Sequence, residues 1–140
     1  MVDPLFLRVA ALPNDARLAR RHQAPLKLRR LWVALGWTWV AAIVWLSLTP
    51  SPPKLDFENG DKVGHFVSYG ALMFLFCMAY QNRSPRLLHA AGFVRMGVGL
   101  EFIQGWLVYR TYDPLDMLAN TIGVALGWAA FLLSERVRPR

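Results

Sequence analysis

Residues 31–48 read LWVALGWTWVAAIVWLSL, a run without a single charge, and Thr49-Pro50 closes it with Pro52 and Pro53 just beyond. At about 1.5 Å of rise per residue such a run, wound as a helix, nearly crosses the ~30 Å hydrocarbon core of a bilayer. The prolines then stop it. Three more apolar stretches follow, at roughly Val63–Tyr80, Leu87–Tyr109 and Met117–Leu133. The breaks between them are short: Asn82 and Pro85 turn the chain once, Asp113-Pro114 again. Short connections make consecutive helices antiparallel neighbours. The expected fold is therefore all-α: a polytopic membrane protein built as a compact up-down-up-down bundle of four transmembrane helices.

Composition agrees. Hydrophobic residues make up 55% of the chain, and six Trp with four Tyr suit the aromatic belts of a membrane protein. A formal charge of +7 would suggest nucleic acid for a soluble protein. Here the cations lie between apolar stretches and on no shared face, so a nucleic-acid partner is excluded and the charge reads as a topology signal. The one cysteine, Cys77, sits within the second stretch, which rules out an intrachain disulfide and a Cys-based metal site. The first long apolar run begins only at Leu31, so the N-terminus does not read as a signal peptide. Three segments result: a basic cytoplasmic N-terminal segment at 1–30, the four-helix domain at 31–133, and a basic tail at 134–140. Within the first, Leu5–Leu12 and Ala16–Gln23 have the composition of surface-lying or basic helices, but a loosely ordered positive tail explains them as well.

Lys and Arg favour the cytoplasmic side of a membrane helix. Twelve of them precede the first stretch, separate the second from the third, or follow the fourth; three, Lys54, Lys62 and Arg110, lie on the other side. Arg95, inside the third stretch, can snorkel toward Arg86. Both termini are thus expected in the cytoplasm, in a multi-pass protein of the bacterial inner (cytoplasmic) membrane. The opposite surface is acidic, with Asp56, Glu58, Asp61, Asp113 and Asp116.

Polar residues inside the stretches carry the functional signal, because an ionisable group at a helix centre costs at least ~2.5–3.5 kcal/mol in hydrocarbon. Asp61, His65 and Tyr69 are four apart, on one helical face, with Lys62 beside them. A capping Asp and a His bonded to a neighbouring helix would explain that pair without chemistry. Glu101 lies two turns below Tyr109, between Gly97 and Gly105, with Gln104 on the same face. Small neighbours turn such a face into the bundle. A carboxylic acid there can act as acid or base, or simply bridge two helices. Asp116 and Asn120 are one turn apart, with Gly123 and Gly127 continuing as a packing strip; Asp113 suits a helix cap with Pro114 in the first turn. Arg110 can pair with one of these carboxylates or clamp a phosphate. The topology brings all of them to the outer half of the membrane. Asp, Glu and His together also suit a hard or borderline divalent cation, although their spacing fits no standard metal motif.

These elements resemble the VanZ-like family, named for a teicoplanin-resistance protein. The matching residues are Ser47-Leu48-Thr49-Pro50, Asp61-Lys62-x-x-His65-Phe66-x-x-Tyr69, Glu101-x-x-Gln104, and Arg110-x-x-Asp113-x-x-Asp116-x-x-Ala119-Asn120-x-x-Gly123-x-x-x-Gly127, in order over residues 31–133. The resemblance implies a four-helix membrane fold, a role in the cell envelope, and membrane lipids or lipid-linked envelope precursors as partners. It also implies that the polar residues work on head groups near the outer leaflet, with Asp61, His65, Glu101, Gln104, Arg110, Asp113, Asp116 and Asn120 as site residues.

Two functions follow from these readings. An enzyme acting on a phospholipid or polyprenyl-linked head group would use Arg110 and Lys62 to hold phosphate, His65 as base or nucleophile, and Glu101, Asp116 or Asp61 to orient it or move a proton, with Gln104, Asp113, Asn120 and Tyr69 lining the site. A non-catalytic accessory protein would use the same pocket for recognition. An ion-coupled transporter fits less well, since four short helices make a poor alternating-access scaffold. The orientation is directly testable. A reporter fused after Arg140 is expected in the cytoplasm, and a cysteine replacing Glu58 is expected to react with an impermeant reagent added outside; an external C-terminal reporter would overturn the assignment.

Overall fold

The computed structural model describes residues 26–53 and 56–137, and four helices account for most of them: α1 Leu26–Leu48, α2 Gly60–Ala79, α3 Arg83–Trp106 and α4 Pro114–Val137. The proposed helices before residue 26, the cations Lys54, Arg138 and Arg140, and most of the N-terminal segment lie outside the described residues. Each helix begins before the apolar stretch that announced it; α4 also runs past the end of its stretch, α1 ends with it, and α2 and α3 stop one and three residues short. Hydropathy marks what sits in hydrocarbon, whereas backbone hydrogen bonding continues into the interface; α1 accordingly takes in Lys27, Arg29 and Arg30. Helix α3 stops at Trp106, short of the expected Tyr109. There the Leu107 amide bonds the Gln104 carbonyl and the Arg110 amide bonds that of Leu107, two tight turns that release Tyr109 from the helix.

Three helices, α1, α2 and α4, are long and apolar enough to cross a membrane. Helix α3 has the length, at 24 residues. Its composition falls short because Arg83, Arg86, His89, Arg95, Glu101 and Gln104 dilute it. Half of these are withdrawn from the apolar surroundings: Arg86, Glu101 and Gln104 are buried in the bundle.

Helix α2 is the centre. Its residues Tyr69, Leu72, Met73, Phe76 and Cys77, at helical spacing, are almost wholly buried, and Ile43 of α1, Phe93 and Leu100 of α3, and Val124 and Phe131 of α4 close around them. Lipid tails are as apolar as leucine, so these contacts stabilise by close packing more than by escape from water. Small residues set how close the helices come. A Cβ on Gly127 would strike the Gly70 carbonyl oxygen, and one on Gly123 the Phe66 carbonyl oxygen. A Cβ on Gly36 would lie 2.5 Å from the Phe76 ring. At the α2–α3 turn, Arg86 replaces missing helix partners: its Nε donates to the Tyr80 carbonyl at 2.5 Å and its guanidinium lies 4.2 Å from the Phe131 ring centre.

The crossing makes a mutational contrast. Gly127→Ala should destabilise by about 1–3 kcal/mol, the usual range for an over-packed contact. Gly99→Ala, where nothing lies within 4 Å of the new methyl, should be neutral. Thermal unfolding in detergent measures both, and equal stability of the two variants would contradict the α2–α4 packing.

Candidate functional site

The end of the bundle where α1 finishes and α2 and α4 begin gathers most of the polar residues singled out in the sequence. Two helix N-termini meet there, so Asp61 in the first turn of α2 and Asp116 in that of α4 stand in favourable helix fields. Gly97 of α3 leaves room for Asn120 of α4, whose amide nitrogen lies 2.9 Å from where a Cβ would be. That close approach delivers Asn120 to His65.

His65 is held on both sides of its ring. Nδ1 lies 3.1 Å from Asn120 Oδ1, and Nε2 lies 3.5 Å from Asp116 Oδ2. An amide oxygen can only accept, so Nδ1 carries a proton and donates it. Nε2 is then the ring nitrogen left facing the Asp116 carboxylate.

Asp113 joins three helices through four hydrogen bonds. Its amide donates to Glu101 Oε1 at 2.6 Å, and its Oδ1 accepts from the Leu115 amide at 2.9 Å as an N-cap. Its carbonyl accepts from the Asp116 amide at 3.0 Å, closing the first turn of α4. Its Oδ2 accepts from Lys62 Nζ at 2.7 Å. The expected cap is therefore present, with an ion pair added to it. Lys62 also lies 3.3 Å from Asp61 Oδ2 and 3.7 Å from Asp116 Oδ1. Lys62 is thus the cation that serves these carboxylates, and among the described residues Arg110 makes no ion pair.

A cavity of about 540 Å³ opens beside this network, within the range usual for ligand sites. Asp61, His65, Tyr69, Gln104, Arg110 and Asp116 contribute to one part of its wall; Ile43, Leu46, Pro50, Pro52, Pro53 and Phe57 form an apolar part. The face shared by Asp61, His65 and Tyr69 therefore looks into one space. Glu101, Lys62, Asp113 and Asn120 are not among the residues lining it. Glu101, 1% exposed, spends one carboxylate oxygen on the Asp113 amide and so fixes the α3–α4 connection that carries Arg110. Gln104 Nε2 donates to the Ser47 carbonyl at 2.9 Å and Tyr109 Oη to that of Leu48 at 3.0 Å. These two side chains tie the last turn of α1 to the far end of α3 and satisfy carbonyls that a helix end leaves open. Ser47 and Tyr109 had no assigned role in the sequence; the pairing of a helix-ending Ser-Leu-Thr-Pro with a Gln and a Tyr beyond Glu101 was the available hint.

The Lys62 hydrogen bond, aided by the Leu115 amide, holds the Asp113 carboxyl below its ordinary value of 3.8. A carboxyl depressed by folding stabilises fully above its ordinary value, and that contribution disappears as pH falls through the lower folded value. Asp113→Asn should therefore be less stable than wild type at about pH 7 and lose less on further acidification to about pH 3, because the titrating group is gone. Melting curves in detergent across that interval test this; parallel acid losses in the two proteins would remove Asp113 from the account.

A fission-yeast protein of Schizosaccharomyces pombe, described as uncharacterized, is 33% identical over 89 residues, covering 61% of this chain and 55% of the relative. Mouse solute carrier family 28 member 3 is 30% identical over 132 residues, covering 89% of this chain but 17% of the relative. The chain thus spans little more than half of one relative and a small part of the other. No solved structure matches it. The VanZ/LLP1 family model matches residues 14–135, nearly the whole chain and every polar residue of the site. This membrane protein belongs to the VanZ/LLP1 family.

Proposed function

We propose that the chain binds and chemically alters the phosphate-bearing head group of a membrane lipid, a phospholipid or a polyprenyl-linked envelope precursor, from the outer leaflet. The observation that carries this reading is His65 on a cavity wall it shares with Arg110, its ring fixed by Asn120 and Asp116. A head group needs polar contacts and the attached acyl or isoprenoid chain needs apolar ones, and the cavity lining contains both kinds of residue. The Arg110 guanidinium, unpaired among the described residues, is suited to clamp phosphate oxygens and offset charge developing on them. His65 Nε2, with Asp116 beside it, takes the proton from a water or hydroxyl that attacks the phosphorus; the phosphoester bond opposite breaks, and its departing oxygen takes that proton back from the ring. The role of the outer leaflet rests on the positive-inside orientation of the sequence.

Glu101 acts in this reading by holding the Asp113 amide, a service glutamine can also perform. The test compares a deletion strain with strains carrying wild-type protein, His65→Ala, Arg110→Ala or Glu101→Gln, by mass spectrometry of membrane lipids and wall precursors. His65→Ala and Arg110→Ala should each cut product formation by about a hundredfold or more, as loss of a base or an anion clamp does, while Glu101→Gln should retain most of it. A head group unchanged between the deletion and wild-type strains would sink the reading. Head-group binding with no product would leave an accessory, recognising role in its place.

A further inference from the structure

Asp61, Asp113 and Asp116 come from two helix starts and one connection, yet each presents an oxygen within 4.8 Å of the other two. Mutual repulsion of three carboxylates at that spacing is offset by one full cation, Lys62, whose Nζ lies 2.7, 3.3 and 3.7 Å from Asp113, Asp61 and Asp116. The longest of these is beyond a hydrogen bond. Asp116, 7% exposed, accordingly keeps its Oδ1 buried with no hydrogen-bond partner. Leaving a buried acceptor unmet is costly, more so for a charged one, and such an atom in a native site asks for an explanation. Its neighbour Oδ2 has one, since it faces His65. The orphaned oxygen points the other way, toward Lys62 and the two remaining carboxylates.

We propose that Asp61, Asp113 and Asp116 form a binding site for one hard divalent cation, of the Mg²⁺, Mn²⁺ or Ca²⁺ class, which Lys62 guards as an exchangeable internal counter-ion. All the oxygens are hard carboxylate donors, which select these ions over thiolate- or imidazole-seeking ones. The spacing fits: oxygens on opposite sides of a Ca²⁺ ion stand about 4.6–5.2 Å apart, and those around Mg²⁺ about 4.0–4.2 Å or closer. Three oxygens spread evenly around one Ca²⁺ stand about 4.0–4.5 Å apart, and closer around Mg²⁺, so the triad draws in as it seats the ion. Lys62 is able to leave, because its side chain is a quarter exposed and hangs from a flexible stem. Asp116 then serves both neighbours at once, Oδ1 on the cation and Oδ2 on His65.

This site goes beyond the proposed head-group chemistry and is tested without any substrate. Purified full-length protein in detergent is titrated with Mn²⁺ alone, and the electron paramagnetic resonance signal of free Mn²⁺ reports binding. Wild type should take up one ion per chain, competed by Ca²⁺ and Mg²⁺. Asp61→Asn, an exposed position where folding is not at stake, should weaken affinity about tenfold, and Asp116→Asn at least as much, as loss of a carboxylate ligand does. Lys62→Met should tighten it by a similar factor, because the competing ammonium is gone. Absence of saturable binding in both wild type and Lys62→Met, or binding that Asp61→Asn leaves unchanged, overturns the site; unaltered affinity in Lys62→Met overturns the counter-ion exchange.

Discussion

Asp113 is the point on which the polar end of the molecule depends. Its amide, carbonyl and both carboxylate oxygens are engaged, by Glu101, Asp116, Leu115 and Lys62 in turn. One residue thereby joins α2, α3 and α4, and it partners the buried Glu101 carboxyl, for which lacking a partner would be costly. The arrangement also explains why Glu101 is tolerated among apolar neighbours. Its partner is a backbone donor that α4, beginning at Pro114, leaves outside the helix ladder, so two groups that would each be unsatisfied meet each other. With that knot in place, Arg110 and the start of α4 are fixed relative to α2, and the His65 ring meets Asp116 and Asn120.

The packing below the knot serves the same end. Helices α2 and α4 approach until backbone touches backbone at Gly70, Gly123 and Gly127, and α3 approaches α4 where Gly97 admits Asn120. In hydrocarbon such contact stabilises because nothing apolar is gained merely by leaving lipid. It also sets rotation. A helix that packs on its glycine strip must present Asp116 and Asn120, on the adjoining face, to His65.

Much of this was legible in the sequence, for physical reasons that also mark where legibility ends. Charge-free runs and prolines reveal helices because the bilayer imposes length and composition on them, and the four elements follow. The faces of α2 and α4 were readable too, since residues four apart must line up: His65 with Asp61 and Tyr69, Asn120 with Asp116. What periodicity does not contain is which neighbour a face meets. Lys62 and Arg110 exchanged expectations for that reason, both being cations near carboxylates in sequence, but only Lys62 lies within reach of them. Gln104, expected beside the substrate, does line the cavity yet holds the Ser47 carbonyl, a contact 57 positions away in the chain. The end of α3 was misplaced because apolar composition continues through Leu107 and Val108 while the backbone has already turned.

The two oxygens of Asp116 set the logic of the site. A carboxylate buried this far needs polar partners, and His65 Nε2 on one side and Lys62 Nζ on the other meet it only loosely, at 3.5 and 3.7 Å. Imperfect pairing is a cost in a purely structural ion pair, where a hydrophobic replacement would serve as well or better. It suits a site that exchanges partners, because neither the imidazole nor the ammonium makes a close bond to Asp116 itself. The firm bonds of the network, to Glu101, Leu115 and Lys62, all converge on Asp113, which does not line the cavity. The loose ones converge on Asp116, which does. Rigidity is thus placed behind the wall, and adaptable charge is placed on it.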